Sequence, residues 1–109
     1  MTQVRRAPPR HELPEVDAAA LEAARAADRL VAAARDLGAE RWLRYFESLP
    51  SRLRDDPLPE LRATTRFARA AYGPKDSVRD QLPADVTEPF LDRIDRLIRA
   101  INRWEANRG

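Results

Sequence analysis

Few side chains in this sequence can carry chemistry, and their spacing separates them. His11 is the only histidine, beside Glu12 and four residues before Glu15. A metal site needs several donors converging on one point, and one imidazole with two solvated carboxylates falls short. There is no cysteine, so thiolate chemistry and disulfides are excluded. Ser48, Ser51 and Ser77 stand beside helix ends or a proline, where a hydroxyl caps backbone amides. None has a histidine near it in sequence to serve as a base. Asp55 and Asp56 are adjacent and so point in different directions. Asp92 and Asp95 share a helical face, but Arg96 and Arg99 follow them by four residues, the spacing of ordinary helix ion pairs. Loops that cradle phosphates are built from glycines, and Gly38, Gly73 and Gly109 sit at terminators or at the last position. The expectation is a protein that is not an enzyme, with no cofactor and no metal.

Three patterns offer binding rather than catalysis. Val16, Ala20, Ala23, Ala27, Leu30, Ala34 and Leu37 alternate at steps of four and three, a heptad seam filled mostly by alanine. Small seam residues let two helix axes approach to the short end of the usual separation of about 8–10 Å. Such a seam serves as a docking face for another copy or another protein, or as the inside of its own bundle. As a docking face it comprises Ala20, Ala23, Ala27, Leu30 and Ala34, flanked by the larger Leu21 and Val31. Arg62, Arg66 and Arg69 line up on one face at steps of four and three, and the arginine fork suits phosphates or carboxylates. Asp55, Asp56, Glu60, Asp76 and Asp80 lie near enough in sequence to neutralise that stripe. Trp42, Tyr45 and Phe46 form the densest aromatic cluster, able to stack a nucleobase, anchor an interface or fill a core.

The elements that must position these groups are helices. Phe90, Ile94, Leu97, Ile101 and Trp104 recur at steps of four, three, four and three, one apolar stripe with charges mainly off it. That spacing predicts a last helix over residues 87–107, with Thr87 as cap and Pro89 tolerated in its first turn. A first helix is expected over residues 15–37, with Glu15 and Asp17 at the positive end of its dipole and Gly38 ending it. A second runs over 39–55 on Trp42, Phe46, Leu49 and Leu53, and Pro50 breaks or kinks it near Leu49. A third starts at 56–60 and ends at Tyr72-Gly73-Pro74. Ser77 with Asp80 resembles a reduced capping box opening one or two turns, anchored by Val78 and Leu82. Residues 1–14, with Pro8, Pro9 and Pro14 and no periodicity, read as a flexible arm. No stretch alternates as a strand would. The fold class is all-α: a single-domain, four-helix bundle over residues 15–109, with a short extra helix before the last long one.

Composition fits that picture. A chain of 109 residues makes one core. Leu, Ile, Val and Phe supply about a fifth of it, near the lower limit for a folded chain. Alanine makes up the apolar count but buries little area, which hints at self-association or a partner. The net charge of +2 resides in residues 1–14, leaving 15–109 neutral, so no global basic field advertises nucleic acid. No apolar run approaches the roughly 20 residues of a membrane span, and no secretory signal leads the chain, so the expected location is cytoplasmic. Nineteen arginines against one lysine point to a G+C-rich bacterial genome. The function these features favour is a non-catalytic helical interaction module, a small accessory or adaptor subunit that self-associates or docks on a larger protein. The alternative is a nucleic-acid-binding helical subunit using Arg62, Arg66 and Arg69, helped by Arg5, Arg6 and Arg10.

Overall fold

Proline and glycine set most of the helix boundaries in the computed structural model, which describes residues 7–108. Helix α1 (Pro14–Asp36) has proline in its first turn, where a missing amide hydrogen costs nothing. It stops at Leu37, and Gly38 follows with φ +65°. Only glycine adopts that left-handed conformation without steric cost. No heavy atom lies within 4 Å of where a Cβ would stand, so the penalty of a side chain there is purely backbone. Gly38→Ala should therefore cost about 1 kcal/mol, read as a melting temperature lower by roughly 4 °C or more in a circular-dichroism melt.

The second expected helix is two helices. Pro50 has no amide hydrogen to give the Phe46 carbonyl, and α2 (Glu40–Phe46) ends at that residue while α3 (Leu49–Asp55) begins three residues later. Helix α4 (Leu58–Ala70) opens on Pro57 and Pro59. Ser77 and Asp80 form the capping box their spacing suggested: the Arg79 amide donates to Ser77 Oγ at 3.2 Å and the Ser77 amide to Asp80 Oδ2 at 3.2 Å. The box encloses one 3-10 turn, Val78–Asp80, and Val78 and Leu82 anchor it in the core.

Helix α5 (Ala84–Asn107) starts one turn before the Thr87 cap expected from sequence. Pro83 takes the capping position instead, its carbonyl accepting from the amides of Val86 and Thr87 at 3.1 Å each. Thr87 is consequently buried inside the helix, and Pro89 falls within it rather than at its entrance. The Asp85 carbonyl then lacks its helical donor, which an exposed residue tolerates because solvent reaches it.

Ion pairs reveal how the helices run. Glu15 with Arg103, and Glu22 with Arg93 at 3.8 Å, make α1 and α5 antiparallel. Arg69 with Asp95 at 3.0 Å and Arg62 with Glu105 at 2.8 Å make α4 and α5 antiparallel as well. Helix α1 packs on α5, α3 and α2, and α4 packs on α5 and α3. The result is an up-down-up-down four-helix bundle whose second member is broken. Its cross-section of 24 by 22 Å is that of a two-by-two array of helices. No strand occurs among the described residues. Phe46, Phe90, Leu30, Leu49, Leu61, Ile94 and Leu97 fill the centre, with Phe46 and Phe90 edge to face at 5.7 Å.

Of the arm expected over residues 1–14, Arg5 and Arg6 lie outside the described residues. From Pro9 onward the chain is packed: Arg10–Glu12 make a 3-10 turn and Leu13 is 6% exposed. Arg10 fastens this turn to α1 and to the junction between α3 and α4, donating to Asp17 Oδ1 at 3.0 Å and to the Asp56 carbonyl at 2.8 Å. Asp56 in turn accepts from the Thr64 hydroxyl at 2.6 Å, tying the middle of α4 to the same knot.

Candidate interaction surface

The alanine seam is internal. Ala20, Ala23, Ala27, Leu30 and Ala34 have no exposed surface, and Val31 keeps only 9%. Their regular spacing holds them on one face of α1, and that face is consumed by the chain's own α5, α3 and α2. The expectation that they form a docking surface is corrected accordingly, because a partner cannot touch a side chain the bundle already covers. Leu37, expected to close the seam, lies past the helix end and is 59% exposed. Only Leu21, at 36%, remains accessible among the residues assigned to that face.

The arginine stripe is where its spacing put it, on the outside of α4, but its members differ. Arg62 donates to Asn102 Oδ1 at 3.4 Å beside its pair with Glu105, and Arg69 is taken by Asp95. The neutralising carboxylates come from α5 rather than from the acids nearest in sequence. Arg66, exposed, has no ion partner among the described residues.

The aromatic cluster divides in the same way. Trp42 and Phe46 are core residues, at 4% and 0% exposure. Tyr45 turns outward and stacks on Phe67 of α4, with ring centroids 4.1 Å apart and planes within 11°. The Tyr45 hydroxyl donates to the Phe67 carbonyl at 2.5 Å, so ring and backbone are held by the same residue. Partial burial pushes the Tyr45 phenol above its usual pKa, and it stays a donor at neutral pH.

Phe67 is the residue that reading the sequence missed. It stands off the buried stripe of α4 (Leu58, Leu61, Thr64, Thr65 and Ala68) and is 39% exposed. Ala63 and Ala70, four residues before and three after, are exposed on the same side of the helix. Together they make a second, outward apolar strip with Phe67 standing proud between two alanines. The signal was present as an aromatic outside the core periodicity, directly after Arg66. What hid it was the pairing with Tyr45, a contact across 22 positions that no local pattern announces.

Other features add little that converges. His11 lies exposed in its 3-10 turn, and no group of three His, Cys, Asp or Glu among the described residues can hold a metal ion. A cleft of about 360 Å³ separates Glu40, Arg41 and Trp42 from Asp76, Asp80 and Gln81. Among the described residues, the indole N–H of Trp42 is buried without a hydrogen-bond partner. A second cleft of about 350 Å³ runs beside Trp104, whose ring carries the Arg108 guanidinium at 5.1 Å. Among the described residues no helix is long and apolar enough to cross a membrane. No family model, no curated protein and no solved structure matches this chain.

Proposed function

We propose that this chain is a non-catalytic helical interaction module, a small accessory or adaptor subunit that docks on a larger protein through the outer strip of α4. The observation that carries this reading is Phe67, a large aromatic held in one geometry by Tyr45 yet open to solvent over two-fifths of its surface. Interfaces concentrate their energy in such residues, because a preorganised ring loses little entropy on being covered. Arg66 beside it, exposed and without an ion partner among the described residues, is a fork of donors of the kind that accompanies aromatic anchors.

The nucleic-acid reading keeps one observation in its favour, the exposed Phe67 face next to unpaired Arg66, on which a base can stack. Of its other arginines among the described residues, Arg62 and Arg69 are engaged with α5, and Arg10 with Asp17 and Asp56. Protein docking is therefore the better supported of the two.

A photo-crosslinking phenylalanine derivative placed at position 67 separates these readings in the cells that make the protein. The expected product is a defined crosslink to another protein, absent when the same group is placed at exposed Arg99. Recovery of nucleic acid alone, of the chain joined only to itself, or of nothing, rejects the proposal.

A further inference from the structure

We infer that residues 7–13 are a detachable strap, latched through Arg10, whose release from the intact bundle uncovers the Trp104 end of the α5 stripe. The strap lies at the end of the bundle where α1 and α4 begin and α5 finishes. Ala7 meets Leu58 and Pro59 of α4 and Trp104 of α5 around a cleft of about 350 Å³. Leu13 lines another of about 240 Å³ with Val16, Ala100 and, again, Trp104. Half-buried Trp104 is thus a wall of both clefts, with one end of the strap forming part of each. A segment bordered by gaps of this size is laid over the bundle end, with Leu13 as its peg.

Two side chains hold it. Leu13 is the fully buried one, whereas Ala7 and Pro8 are half-buried and Pro9, His11 and Glu12 exposed. The Glu12 amide donates to the Pro9 carbonyl and the Leu13 amide to the Arg10 carbonyl, both at 2.9 Å, so these bonds travel with the strap. Among the described residues, no backbone hydrogen bond joins residues 7–12 to a helix. Their polar attachment is Arg10, 11% exposed, through its bonds to the Asp17 carboxylate and the Asp56 carbonyl. A covered guanidinium is a conditional fastener. With Asp17 in place its charge is met. Without Asp17 an uncompensated charge is left against the bundle, and swinging the strap into water relieves it without opening a helix.

The test uses the full chain and two readouts. Acrylamide quenching is measured with Trp42→Phe throughout, so that Trp104 alone fluoresces. Asp17→Ala should raise that quenching about twofold, and should speed trypsin cleavage after Arg10 by about tenfold or more. Cleavage after Arg99, exposed but inside α5, and the helical ellipticity should both stay as in the wild type. Arg10→Met keeps the apolar length and leaves Asp17, 34% exposed, to solvent, so its quenching should match the wild type. Adding Arg10→Met to Asp17→Ala removes the stranded charge and should bring quenching back to the wild-type value. Quenching indifferent to Asp17→Ala, or release that persists in the double variant, overturns the inference. So does cleavage after Arg99 that accelerates in step with cleavage after Arg10, because the strap then leaves only when the bundle unfolds. The trypsin comparison is made without the tryptophan change and decides by itself where that change unsettles the core.

Discussion

Replacing Ala23 and Ala27 together by glutamate should abolish the fold: helical ellipticity at 222 nm collapses at 25 °C, and no cooperative melt remains. Both positions have no exposed surface on the face of α1 turned to α5 and α3. Two carboxylates placed there would lose their hydration, and the core around them is apolar, with threonine and serine as its buried polar members and no buried cation among the described residues. An unpaired buried charge costs roughly 3–5 kcal/mol, and a domain of this size is stable by roughly 5–15 kcal/mol in all. Two such costs meet or exceed that margin. The control is Leu21→Glu on the same helix, 36% exposed, which should leave the ellipticity unchanged. Full helicity in the double variant would mean that α1 does not pack as described. Loss of an oligomer with helicity retained would return the seam to the role of a docking face.

Tyr72→Phe should destabilise the bundle by about 1–3 kcal/mol and also flatten its response to alkali. Tyr72 is 9% exposed, and its hydroxyl donates to the Thr87 carbonyl at 2.6 Å inside the bundle. The bond links the end of α4 to the first turns of α5, where Pro89 has removed a helical donor. Burial pushes the Tyr72 phenol well above its ordinary value near 10, and the nearby Glu88 carboxylate pushes it further, against opposing pulls from Arg79 and Arg69. A folded-state pKa raised above the unfolded one means that the stabilisation is fully present below about pH 10 and is lost as pH rises beyond it, because only the unfolded chain releases the proton. Each pH unit in that range removes up to about 1.4 kcal/mol. Denaturant midpoints measured from pH 8 to 11.5 should fall beyond pH 10 in the wild type and less steeply in the variant. Parallel curves would show that Tyr72 is not the residue that holds its proton. Glu88 sits below the usual carboxylate range, chiefly because the Arg79 guanidinium donates to it, but that exposed pair belongs to the acid side of the profile and does not blur the alkaline one.

The helices were legible because each depends on neighbours within four residues. Gly38, Pro50 and the Ser77–Asp80 box act locally, and each does in space what its position suggests in sequence. The start of α5 was misplaced by one turn because two capping candidates compete, Pro83 before Ala84 and Thr87 before Glu88. Tertiary burial of Thr87, with its carbonyl bonded to Tyr72, settles the contest in a way no dipeptide preference does. The seam could not be assigned from periodicity, since a 4-3 alternation of alanines is the same whether the second helix comes from within the chain or from outside it. Counting apolar faces would have helped: with α5, α3 and α2 each short of a partner, α1 had to serve all three. Phe67 went unseen for the opposite reason. An exposed aromatic leaves no period to detect, and only the fold brings Tyr45 to it.

The alanine seam has one more consequence, for the shape of stability against temperature. Alanine has no side-chain rotamers to freeze, so α1 meets its neighbours at little entropic cost, but it also withholds little hydrocarbon from water. Unfolding such a contact changes the heat capacity less than unfolding a leucine-rich one, since that increment follows the apolar area exposed. A bundle clasped this way trades depth for breadth: its free-energy curve is shallow and wide, and it tolerates cooling better than its modest core would suggest.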